Sequence, residues 1–108
     1  MALVRGRNTT ERGGSFDRLT IQAVWNKAQV VPGVNANLTR KDSCGAWIEW
    51  SAYGNTQEFG KGWEIDHVKP VSRGGSDDLS NLQPLQWQNN RAKGDCQFGW
   101  TAAVSAKN

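Results

Sequence analysis

Asp66 and His67 are neighbours in the sequence, and His67 is the only histidine in the chain. Two asparagines follow at a distance, Asn81 and Asn90. Asp66 and Asn90 both offer oxygen donors. Carboxylate and amide oxygens suit a hard cation, Mg²⁺ or Mn²⁺, better than zinc. Two protein ligands would leave most of the coordination shell to water and to substrate oxygens, as is usual for Mg²⁺ on a phosphate. A free imidazole has a pKa of about 6.5, so above neutrality it is largely uncharged and accepts a proton from water. A histidine base beside a hard metal is a set for phosphodiester hydrolysis. Lys69, Arg73, Arg91 and Lys93 flank these residues and are candidate holders of neighbouring phosphates. Each residue alone has an ordinary reading: a surface or core histidine, glycines and aspartates as loop formers, asparagines on a wet helix face.

The elements must bring these residues together. Adjacent residues of a strand point to opposite faces, so Asp66 and His67 can share one substrate only at a strand end or bend. "WEIDHVKPV" (63–71) reads as a strand whose far end Pro70 limits. "SRGGSDDLS" is a loop, with Asp77 and Asp78 as turn formers. "NLQPL" is one brief strand, and "QWQNNRAK" a helix closed by Gly94. Upstream, "FDRLTIQAVWNKAQV" (16–30) has a helical face of Phe16, Leu19, Ala23 and Val24, a cap at Ser15 and a stop at Pro32-Gly33. Residues 34–45 are polar and irregular. "AWIEWSAYG" (46–54) alternates as a strand, with 55–62 as the turn to its expected partner at 63–71.

The length of 108 residues fits one domain. The expected organisation is a flexible basic arm over 1–15, a domain over 16–100 and a frayed tail over 101–108. The arm could touch phosphates. The net charge of +3 and pI of about 9.1 favour polyanions only mildly. No apolar run approaches a membrane span, and the N-terminus has no apolar signal region, so a cytoplasmic protein is expected. Cys44 and Cys96 with one histidine cannot complete a four-ligand zinc site, and they read as partly buried thiols.

Together, "DHVKPVSRGGSDDLSNLQPL" and "NNRAKGD" closely resemble the HNH nuclease family, in the variant with asparagine at the third position. The spacing from His67 to Asn81 to Asn90 agrees, and the resemblance covers residues 63–95, about a third of the chain. It implies an α+β domain built on a ββα-metal finger, here with a preceding β-hairpin and an N-terminal helix. It implies His67 as general base, Asp66 and Asn90 as metal ligands, and Asn81 as the residue that ties the loop and helps orient the histidine. The implied activity is cleavage of DNA to 5′-phosphate and 3′-hydroxyl ends with one divalent ion, Mg²⁺ or Mn²⁺. Many relatives add zinc-binding C-x-x-C pairs; here the equivalent positions are Gln86 and Asn89, and no structural zinc is expected. Trp47, Trp50, Trp63 and Trp87 are the candidates to hold the finger instead. "RKDSCGAWIEWSAYGN" resembles the lead-in of some bacterial members and favours a bacterial or phage origin. A DNA-binding module that does not cut, and a nuclease toxin domain with an immunity partner, are the alternatives; a homodimer or larger complex is a possible setting.

Overall fold

The computed structural model describes residues 6–58 and 60–105. Two antiparallel pairs of strands and two helices make up the molecule: α1 (Arg18–Trp25), β1 (Thr39–Lys41), β2 (Trp47–Glu49), β3 (Trp63–His67), β4 (Leu82–Gln86) and α2 (Trp87–Lys93).

Helix α1 starts two residues later than Ser15 would place it. Asp17 is the cap, and its carboxylate accepts from Thr20 N–H at 2.7 Å. The buried face also differs from the expected one. Ile21, Val24, Trp25 and Ala28 turn inward at i, i+3, i+4 and i+7, whereas Leu19, expected inside, is 82% exposed. The helix also ends at Asn26, and the chain beyond it pairs Gln29 with Lys41.

The hairpin forms from different partners than expected. Residues 46–54 do not form a hairpin with 63–71; a single parallel bridge, Tyr53 to Trp63, is their only β-pairing. Asp42, fully buried, accepts from the N–H groups of Cys44 and Ala46, both at 2.9 Å, and folds β2 back onto β1. The register is Thr39 with Glu49 and Lys41 with Trp47. The chain then leaves the sheet in a single turn of 3₁₀ helix over Trp50–Ala52. Strand β3 pairs instead with β4, Trp63 opposite Gln86 and His67 opposite Leu82.

Every residue of β3 is buried, because both of its faces are covered. Trp63 and Ile65 face the core made with Phe16, Val24, Trp25, Ala28, Ile48 and Leu82. Trp63 meets Trp25 at 5.3 Å, Trp50 at 6.2 Å and Tyr53 at 4.9 Å between ring centroids. Such aromatic pairs add about 0.5–1.5 kcal/mol each beyond their buried area. Glu64 and Asp66, on the alternate face, turn toward α2.

The aromatic cluster therefore includes Trp25 and leaves out Trp47 and Trp87. Trp47 lies under the Lys41 ammonium, and Trp87 donates its indole N–H to Gln57 O while Arg91 stacks over its ring. At Gln86 and Asn89 the structure holds a buried polar clasp. Asp42 Oδ2 accepts from Gln86 N–H at 2.9 Å and from the Asn89 amide at 3.0 Å. Gln86 Oε1 in turn caps α2 by accepting from the N–H groups of Gln88 and Asn89.

Neither end of the described chain hangs loose. Asn8 Oδ1 accepts from Ile65 N–H at 2.7 Å and from the Tyr53 hydroxyl at 2.9 Å. Glu11 N–H donates to the Asp77 carboxylate, and Asp77 N–H returns a bond to the Glu11 carboxylate. At the other end, Val104 exchanges both its backbone groups with the Asn89 amide. The arm over residues 6–15 is anchored, and so is the tail at Val104; residues 1–5 and 106–108 lie outside the described residues.

Candidate active site

The end of β3, the start of the following loop and helix α2 enclose a cleft of about 340 Å³. Asp66, His67 and Asn90 all line it. The strand-end placement resolves the geometric problem of two adjacent side chains. Asp66 lies toward α2, and His67, on the Phe16 side at a ring distance of 6.0 Å, still opens to the same space.

His67 is almost fully buried, and its Nε2 lies 2.7 Å from Asp77 Oδ1. An ionised carboxylate only accepts, so the neutral imidazole must carry its proton on Nε2. Its lone pair is then on Nδ1. From sequence Asp77 reads only as a turn former, and its contact with His67 carries no sequence signal. Nothing in "GGSDDLS" distinguishes Asp77 from Asp78; the difference comes from where the loop lays each one down.

Asn81 lies outside the cleft. Its Oδ1 accepts from Lys69 N–H at 2.8 Å, and its amide donates to Lys69 O and Ser76 O. Its carbonyl also accepts from Val68 N–H. The asparagine thus pins the two ends of the loop that carries Asp77 toward His67.

Asp66 is 7% exposed, and burial pushes its carboxyl above the usual range. The Gln83 amide, donating to Oδ2 at 2.9 Å, and the Lys93 ammonium, 3.2 Å from Oδ1, pull it back. Lys93 also donates to His67 O at 2.9 Å and is 2% exposed. Its charge is committed inside the protein, so Lys93 is not the surface phosphate holder that its place in the sequence suggested. Arg91 and Lys69 are exposed, and Arg73, also exposed, donates to Asp95 O. None of the three lines the cleft.

Asn90 donates its amide N–H to Glu64 Oε1 at 3.1 Å. That bond commits the nitrogen end and leaves Oδ1 as the end available to the cleft. Among the described residues no three His, Cys, Asp or Glu side chains gather into a metal cage. The donors present are one carboxylate and one amide oxygen beside open space. That is the sparse, hard-oxygen set which suits Mg²⁺ with water and phosphate completing the shell.

Strand, loop, strand and helix around this cleft make the protein a small α+β domain with a ββα core. Residues 43–95 match the family model for the HNH endonuclease, and the chain belongs to the HNH endonuclease family. That membership places it among nucleases and nucleic-acid-binding proteins. Neither the curated proteins nor the solved structures return a match. No helix among the described residues is long and apolar enough to cross a membrane.

Proposed function

We propose that the cleft hydrolyses phosphodiester bonds of DNA with the help of one divalent ion. The observation that carries this reading is the His67–Asp77 contact beside a cleft that His67 lines together with Asp66 and Asn90. Beside an ionised Asp77 that contact favours the Nε2–H tautomer, which leaves Nδ1 as the basic nitrogen for a water molecule.

Nδ1 takes a proton from that water as it attacks phosphorus. The imidazolium so formed is stabilised by Asp77. Asp66 and Asn90 Oδ1 would hold Mg²⁺ or Mn²⁺, which supplies charge stabilisation to the phosphate and the leaving oxygen. Cleavage would leave 5′-phosphate and 3′-hydroxyl ends. Lys93 and Gln83 keep the Asp66 carboxylate ionised and aimed, and Glu64 keeps the Asn90 amide turned. Lys69, Arg73 and Arg91, exposed on the surface, would hold flanking phosphates.

The test is nicking of supercoiled plasmid with Mg²⁺ or Mn²⁺, with and without excess chelator, for the wild type and His67→Ala. A positioned general base is worth about 10²–10⁴ in rate, so the variant should lose activity on that scale while still binding DNA. Nicking that survives the chelator would remove the metal from the mechanism. Equal turnover in the variant would remove His67 as base, and no nicking with either ion would favour a binding module.

A further inference from the structure

A phosphate entering the cleft would meet carboxylates, and the side-chain cations that flank the motif lie elsewhere. Asp66, Glu64, Asp77 and Asp95 all stand at or beside it. Lys93 is buried against Asp66. Among the described residues, the one cationic side chain that lines the cleft is Arg7.

Arg7 belongs to the N-terminal arm, and the arm is fixed on both sides of the catalytic strand end. On one side Asn8 grips the outer edge of β3 through Ile65 N–H and the Tyr53 hydroxyl. Asn8 itself sits at φ +57°, a left-handed conformation that asparagine tolerates better than most residues. On the other side Glu11 is locked to Asp77, the partner of His67. Arg7 is exposed and sits one residue before the first anchor, beside Asp66 and His67.

We infer that Arg7 is a binding residue of the active site: its guanidinium grips a backbone phosphate of the nucleic-acid strand lying in the cleft. A planar guanidinium matches two phosphate oxygens at once, and its charge offsets the carboxylates around the site. The inference rests on the nuclease reading for the identity of the strand's fate, but not for the contact itself.

Two measurements on the intact chain keep them apart. Fluorescence anisotropy with a short labelled DNA duplex in EDTA, across a salt series, reads the contact. Plasmid nicking with Mg²⁺ reads the chemistry. Arg7→Ala is expected to weaken DNA binding and raise KM by about tenfold, and to flatten the log K against log salt slope by about one unit. Arg12→Ala removes the same charge from the arm outside the cleft, and should shift binding by about twofold or less. Arg7→Lys should keep the salt slope and lose part of the affinity, since a point charge replaces a fork. Wild-type binding and KM in Arg7→Ala, or an equal loss in Arg12→Ala, would overturn the inference. A wild type that never nicks, with Arg7→Ala still defective in DNA binding, would overturn the nuclease reading and uphold the contact.

Discussion

At the residue scale, Asp77 is the side chain whose importance the sequence conceals. Replacing it by asparagine keeps the shape and lets an amide either donate to Nε2 or accept from it, so the histidine tautomer is no longer set. Asp77→Asn is expected to lower kcat by about ten- to a hundredfold with KM little changed, as loss of a histidine-orienting carboxylate does elsewhere; steady-state nicking kinetics checks this. Asp66 makes a second prediction, on stability. Its folded-state pKa is raised by burial. Its contribution to stability is therefore full below the ordinary carboxylate range and is lost as pH climbs through the raised value. A divalent ion favours the ionised form, so Mg²⁺ should raise Tm at neutral pH and much less in acid. Equal shifts at both pH values in a thermal-melt series would count against Asp66 as a ligand. Residue types and spacing made Asp66, His67, Asn81 and Asn90 legible as a set. Asp77, Gln83 and Glu64 were not, because their roles are contacts across β3, β4, α2 and the loop, with no local signature.

At the scale of elements, the loop between β3 and β4 is built to one tolerance. A Cβ on Gly75 would stand 1.7 Å from Lys69 O, so no larger residue fits without moving the backbone. Asn81 closes the same loop with three side-chain hydrogen bonds. Asn81→Ala should cost about 1–3 kcal/mol, read by urea unfolding, and should slow nicking because Asp77 is no longer held to His67. An unaltered midpoint would show that the loop needs no tie. The helix α2 and strand β3 were readable from pattern and breakers. The pairing of the first hairpin was not: β1 is three polar residues with no alternation to see, and the choice of partner is made by the Asp42 side chain in the turn. The helix face was misread because apolar residues lie on more than one side of α1, and packing against the core selects Ile21, Val24 and Trp25 over Leu19.

On the whole-molecule scale, the folded unit is wider than the family match at residues 43–95. The arm and the tail each close a buried polar group: Asn8 takes up Ile65 N–H, and Val104 satisfies Asn89. Removing residues 100–108 strips the Asn89 side chain of its two hydrogen bonds to Val104. It should lower Tm by several degrees and broaden the transition, visible by calorimetry; an unchanged melt would make the tail dispensable. Motif reading finds the segment that carries the chemistry, and it is blind to these terminal attachments because single asparagines in polar stretches look like solvent-exposed ones.

Asn8 also has a consequence for solubility. Strand β3 is paired with β4 on one side, and its other edge is closed only piecemeal, by Tyr53 at Trp63 and by the arm at Ile65. An incompletely paired strand edge is a template for another chain. The arm covers part of this edge as well as lining the cleft. A chain shortened past residue 8 should therefore form oligomers or aggregates at concentrations where the full chain stays dispersed, which light scattering would reveal.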